Sequence, residues 1–373
     1  MSYPGFAPRR RRWGLFVPFA LVVALAAVWT GLWYYAVGMA DATIAEWRER
    51  EARAGRIFSC ERQTIGGYPF HIEVRCTQPT AELRGEGPAI ALKARDALFV
   101  WQVYQPTLLI GEFSGPLTVS APGGPSYVAN WRLGRTSVRG TPSAPERVSV
   151  VIDDPTAERV AESGRTTVFT ASQVELHGRM AAGSAADQPV IEAVLRLNSA
   201  SAPELHRLTV QPLDADIAAT LRGLADFSPK PWAARFRELQ TRGGSIDITK
   251  ARVQQGEVIA VGGGTLRLTP SGHLDGQVQL TIVGLDKVLK VLDIDRIVSE
   301  GDIGASLNAL DRLIPGLGGI ARKNAAPGIV AGLGALGQGT TLEGKPAVTV
   351  PLRFADGTVF LGPLPIGQTP PLF

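Results

Sequence analysis

The sequence predicts a mainly β protein with a few helices (α+β), in which an N-terminal transmembrane helix precedes a curved antiparallel β-sheet ectodomain. Three observations predict it. Trp13 to Val37 is a run of 25 residues without a charge, and about 20 apolar residues span a bilayer core. From Ile57 onward, apolar and polar residues alternate with period two, as in strands with one wet and one dry face. The pattern G-x-[FL]-x-G-x-[LV]-x-[VL] occurs at Gly111–Val119 and again at Gly272–Leu280. Glycine inside a strand marks a bend, a bulge or a close backbone approach.

Residues 1–12 form a basic N-terminus that carries Arg9, Arg10, Arg11 and Arg12. Those four explain the whole formal charge of +4, because the other basic residues equal the 34 acidic ones in number. A nucleic-acid binder needs a clustered basic face to displace counterions. No such cluster follows Arg12, so nucleic acid is not an expected partner. Residues 13–37 are the signal anchor. The positive-inside rule keeps the arginines in the cytoplasm and exports the remainder, which predicts a single-pass protein of the bacterial inner membrane with its bulk in the periplasm. Trp29, Trp33, Tyr34 and Tyr35 sit where an interfacial aromatic belt is expected. A cleaved signal peptide ending near Ala40-Asp41-Ala42 is the rival reading, although its apolar region would be unusually long. Residues 41–55 are rich in Ala, Glu and Arg, predict a juxtamembrane helix, and stop at Gly55.

The β-rich region spans 56–373, with room for a sub-domain boundary near 200–245. Cys60 and Cys76 are the only cysteines, and export to an oxidising compartment predicts their disulfide. A three-residue hairpin loop at Gly67-Tyr68-Pro69 would put them directly opposite each other, although Arg62 and Thr64 fit that register poorly. Clear one-sided strands run from His273 to Ile282 and through Val348, Val350, Leu352 and Phe354. Shorter ones include Leu266 with Leu268 and Ile246 with Ile248. A helix is expected at 229–242, with Trp232, Phe236 and Leu239 on its packed face. Further helical patterns lie at 284–298 and 302–322. A Gly/Ala-rich segment follows to 339, and the PPLF tail reads as extended and frayed.

No motif carries chemistry. Gly332, Gly334 and Gly337 spell G-x-G-x-x-G, but a strand rather than a helix follows. Gly339 to Lys345 spells G-x-x-x-x-G-K, but Pro346 stands where Ser or Thr must hold magnesium. His71, His177, His206 and His273 lack metal-ligand spacing, and His71 and His273 fall on wet strand faces. Asp153-Asp154 and the pair Asp293 and Asp295 read as turn or surface carboxylates. No catalytic residue, metal ligand or cofactor is expected, and the chain is read as a non-enzyme.

The elements GGYPFHIEVRC, SGPLTV, ANWRLGRTSVRG (Ala129–Gly140), GHLDGQVQL and DGTVFLGPLPIG (Asp356–Gly367) resemble the bacterial domain-of-unknown-function family 2125. The resemblance covers roughly residue 20 to the end and implies no catalytic residues. The strand style is more distantly similar to AsmA-like envelope proteins. By that similarity, the expected partners are the inner membrane and lipid or another amphiphile in an apolar groove. A structural or assembly factor of the envelope with a closed core is the alternative. An enzyme with an unfamiliar site is a third reading.

Overall fold

The computed structural model describes residues 16–84, 88–102, 104–141, 144–228, 230–291, 338–362 and 364–373. Helix α1 (Val17–Arg53) is one unbroken helix of 37 residues, about 55 Å long at 1.5 Å per residue. The anchor and juxtamembrane segments read separately in the sequence are thus a single rod. Pro18 stands in the first turn, where a missing N–H leaves no bond unmade. The rod ends at Gly55, whose φ of +78° suits glycine. Arg9 to Arg12 lie outside the described residues.

Strands follow. They are β1 Arg56–Ser59, β2 Arg62–Gly66, β3 His71–Thr77, β4 Thr80–Leu83, β5 Ile90–Lys93, β6 Asp96–Gln102, β7 Gln105–Ser114 and β8 Leu117–Ser120. Next come β9 Ser126–Asn130, β10 Leu133–Thr141, β11 Ala144–Asp153, β12 Thr156–Ala161, β13 Gly164–Thr170, β14 Gln173–Ser184, β15 Asp187–Ala200 and β16 Leu213–Arg222. The last are β17 Ser245–Gln255, β18 Val258–Leu268, β19 Leu274–Val283, β20 Gln338–Leu342, β21 Lys345–Ala355, β22 Thr358–Leu361 and β23 Leu364–Gln368. Helix α2 (Trp232–Thr241) precedes β17, and α3 (Leu285–Val291) follows β19.

These strands form two antiparallel sheets. The small one has seven strands in the order β1-β4-β5-β8-β9-β12-β13. The large one has sixteen, running from β2-β3-β6-β7-β10-β11-β14 through β15-β16-β17-β18-β19-β21 to β22-β23, with β20 also on β21. The chain moves between sheets by two-residue corners, not by long loops. Gln78-Pro79, Ala94-Arg95, Gly115-Pro116, Trp131-Arg132, Asp154-Pro155 and Ala171-Ser172 each link a strand of one sheet to a strand of the other. Backbone bonds join neighbouring corners, among them Gln78 N–H to Arg95 (2.8 Å), Arg132 N–H to Asp153 (3.0 Å) and Asp154 N–H to Ser172 (2.8 Å). The corners therefore line up as one fold line. Gln78 and Asp154 reach it with φ of 47° and 51°. The repeated glycine pattern has two different causes. Gly115 makes a corner, whereas a Cβ on Gly276 would come within 2.2 Å of the Thr265 carbonyl inside the sheet.

Cys60 and Cys76 are disulfide-bonded, with Cα atoms 5.5 Å apart. The register differs from the expected one, because Gln63 lies opposite Cys76. Cys60 reaches its partner from the turn between β1 and β2. That route relieves the misfit of Arg62 and Thr64, which no longer share the apolar face with Cys76.

The tightest packing is at the C-terminal end of the large sheet. Ile282, Leu285, Leu289, Val350 and Leu361 form a fully buried cluster, which α3 seals. Helix α2 buries Leu239, but Trp232 is 78% exposed and stacks on Phe236, contrary to the packed position expected for it. Residues 292–337 lie outside the described residues, as do the expected helix at 302–322, most of the Gly/Ala-rich segment and Asp293 and Asp295. The PPLF tail is tied down instead of frayed. Leu372 N–H bonds the Gly272 carbonyl at 3.0 Å, and the Arg237 guanidinium lies over the Phe373 ring at 5.5 Å.

Candidate functional site

In an antiparallel ladder, directly opposite residues share a face. Following the register across the large sheet gives rows of side chains that cross it from strand to strand. One row begins Val74, Phe99, Gly111 and Thr136, and continues Val150, Leu176, Leu195 and Ile217. It ends Ala251, Gly262, Leu280 and Val350. The row on one side starts at Ile72 and Trp101, and the row on the other at Cys76 and Ala97. Both keep the same composition to Leu352 and Val348. One face of the large sheet is therefore continuously apolar. Its single hydroxyl in the row above, on Thr136, is spent on the Ser149 carbonyl at 3.0 Å.

This face is sealed at both ends and open in the middle. Val74 and Cys76 are buried at one end, as are Val278, Ile282 and Val350 at the other. In the centre, Val148 is 36% exposed and Leu176 is 49% exposed. Gly178, paired with Val148, has no heavy atom within 4 Å of where its Cβ would be. An exposed apolar patch on a sheet needs a partner or a ligand to keep it from water.

The opposite face is wet and electrically balanced. Arg196 bonds Glu175 at 3.3 Å, and Lys250 bonds Asp216 at 2.6 Å. The hydrogen bond from His177 and the Arg196 charge hold the Glu175 carboxyl below its ordinary range. The Lys250 ammonium does the same for Asp216. A shallow depression of about 260 Å³ lined by Arg196, Asn198, Asp214 and Arg252 lies on this face. Its acids and bases are satisfied by one another and by backbone, as Asp214 is by the Ser199 N–H at 2.7 Å.

The structure brings none of the histidines together. His71 and His177 each lie beside a glutamate two residues away, Glu73 at 3.8 Å and Glu175 at 3.1 Å. His206 caps a single 3-10 turn through Leu208 N–H at 3.1 Å. His273, expected on a wet face, is half-buried under the tail and lies 3.3 Å from the Thr369 carbonyl. Asp153 is buried, accepts from Gln173 at 2.9 Å and faces Arg132 and Arg135, while Asp154 makes the corner. Among the described residues no group of three or more His, Cys, Asp or Glu is placed to hold a metal. The G-x-x-x-x-G-K stretch is the β20–β21 hairpin, turning at Glu343-Gly344 with φ of 52° and 74°.

The aromatic belt divides in two. Tyr34 and Tyr35 are 66% and 68% exposed. Trp29 and Trp33 face the domain instead. Their indole N–H groups donate to the carbonyls of Pro69 at 2.9 Å and His71 at 3.0 Å. Trp33 is buried and meets the Tyr68 ring edge-on at 5.4 Å. Farther along, Trp47 stacks on Phe58, and Arg48 bonds Gln63 at 2.6 Å. The pattern at Trp29 and Trp33 suits either setting, because an indole near a helix end packs equally well on lipid headgroups or on protein.

The long apolar N-terminal helix fits a single-pass anchor, and the disulfide fits an oxidising compartment. Neither the curated proteins nor the solved structures contain a match to this chain. The family model described as an uncharacterized protein conserved in bacteria (DUF2125) matches residues 33–370, from Trp33 on the anchor helix through the GYPF hairpin and both sheets, and the chain belongs to that family.

Proposed function

We propose that the chain is a non-enzymatic protein of the bacterial inner membrane, with its N-terminus cytoplasmic and its sheets in the periplasm, that binds lipid or another amphiphile on the apolar face of the large sheet. The observation that supports this reading is the open centre of that face, around Val148, Leu176 and Gly178. Burying an apolar chain there gains roughly 0.8 kcal/mol per methylene. On the wet face, Arg196 and Lys250 are paired with Glu175 and Asp216.

A photoreactive phenylalanine analogue at Leu176, in the full chain expressed in a bacterial host, tests the reading. Crosslinked phospholipid or other amphiphile is expected from this position and not from Arg147 on the wet face. Equal capture at both positions, or none at Leu176, overturns the proposal. Leu176→Asp should lower the lipid that copurifies while leaving the fold intact, since this side chain is half-exposed already.

A further inference from the structure

The tip of the β2–β3 hairpin is bonded to the first half of α1. Trp29 and Trp33 donate to its Pro69 and His71 carbonyls, at 2.9 and 3.0 Å. The Thr30 and Tyr68 hydroxyls meet at 2.8 Å. This fixes the hairpin at the height of residues 29–33 of the helix. That height can be bracketed against a bilayer. A core about 30 Å thick takes about 20 helical residues. The uncharged run ends at Val37, and the next charge is Asp41. Residues 29–33 of α1 lie about 6–12 Å before Val37, in the outer part of the span.

We infer that the tip of the β2–β3 hairpin is seated in the lipid interface beside α1, in the leaflet facing the domain, so that the apolar face of the large sheet begins at the bilayer. Two further observations point the same way. The tip presents Tyr68 at 52% and Phe70 at 63% exposure, and the neighbouring β6–β7 tip presents Tyr104 at 74%. His71 lies opposite Gln102, so the two tips are adjacent. With Tyr34 and Tyr35 they form a girdle of five exposed aromatic rings, the residue class favoured at the lipid headgroup level.

Several backbone groups of the tip are satisfied by protein. An irregular loop at membrane depth is tolerated only where its polar groups are satisfied by protein. Here the Pro69 and His71 carbonyls have the two indoles, the His71 N–H has the Gly67 carbonyl at 3.2 Å, and Pro69 has no N–H to satisfy. Ile72 and Trp101, opposite each other, start the apolar face one residue beyond the tip.

The inference rests on α1 crossing a bilayer and not on amphiphile binding. The test uses the full chain in vesicles of phosphatidylcholine and phosphatidylglycerol. An environment-sensitive fluorophore is attached to a single added cysteine at Leu25, Phe70 or Ser163 in turn. Leu25 reports the helix, and Ser163 is the exposed β12–β13 turn. A label at Phe70 should be quenched several-fold more by spin-labelled lipid than by aqueous iodide, like Leu25 and opposite to Ser163. Trp33→Phe, which keeps a ring but loses the indole N–H, should lower lipid quenching at Phe70 and leave Leu25 unchanged. Iodide quenching at Phe70 with lipid quenching at Leu25 overturns the hairpin placement alone. Iodide quenching at both overturns the anchor as well. A label at Phe70 shielded from both quenchers and crosslinking to a second copy puts a protein contact there and also overturns it.

Discussion

Removing the disulfide is expected to weaken the joint between the helix and both sheets. The cysteines are 16 residues apart and close the turn between β1 and β2 together with the β2–β3 hairpin. A loop of this size gives a chain-entropy stabilisation of about 3 kcal/mol. Cys76 is 6% exposed in the apolar row with Ala97, so Cys→Ser would add a buried hydroxyl and confuse the reading. Cys60→Ala with Cys76→Ala is the cleaner change, and trimming one buried sulfur adds about 1 kcal/mol. For a domain of this size each kcal/mol moves Tm by about 2 °C, so a fall of about 6–8 °C is expected. Near-UV circular dichroism of the full chain in detergent would measure it, and reductant, which leaves the Cys76 sulfur in place, should lower the wild type by about 6 °C. Arg48 touches both the Cys60 sulfur, at 3.3 Å, and Gln63. Amide exchange should therefore rise in residues 41–53 as well as in β2. A double variant that melts within 1 °C of wild type (well under the roughly 2 °C that 1 kcal/mol gives), with unchanged exchange, would refute the idea that the bridge carries the joint.

Two glycines on the apolar face should respond oppositely to Ala. A Cβ on Gly264 would lie 2.1 Å from the Gln277 carbonyl oxygen, a backbone atom with nowhere to go, so Gly264→Ala should cost at least 1–3 kcal/mol (about the overpacking range) in urea unfolding. Gly178 has open space around it, and Gly178→Ala should be neutral or stabilising by about 0.5 kcal/mol. The loop before α2 should be acid-sensitive in a narrow window. The Ser228 hydroxyl and N–H, with Lys230, hold Asp226 down at about 2. Its unfolded value is near 3.9, so its stabilisation is complete above that value and is lost as pH falls toward about 2. Exchange protection in residues 225–241 should drop over that window, and Asp226→Asn should remove the drop.

The strands with regular alternation were legible because each reads locally. β19 is the His273–Ile282 pattern offset by one residue, β21 extends the Val348–Phe354 pattern by three residues at its start and one at its end, and Leu274 to Val283 has the partners that the pattern requires. The corner line was hidden because each strand had to be broken in two. Gln78-Pro79, Gly115-Pro116 and Asp154-Pro155 are the visible traces, since Pro cannot donate to a ladder. The register of β2 against β3 differs from the expected one because the disulfide is not a cross-strand pair: the bend at Cys60 brings it in from outside the ladder. The open apolar face could not be read from any one strand. Leu176 and Val350 both look like dry positions in sequence, but α3 and Leu361 pack on Val350 and leave it 1% exposed, whereas Leu176 stays half-exposed.

The single rod from Val17 to Arg53 removes any tether between anchor and domain. Trp33, Trp47 and Arg48 bind it to the β2–β3 hairpin, β1 and β2 in turn. These three contacts and the unbroken helix hold the rod against the domain over residues 33–48. If α1 crosses a bilayer as proposed, any tilt it takes up to match bilayer thickness would be passed to the domain through these contacts. On that proposal, the angle of the large sheet to the bilayer would follow the tilt of the helix.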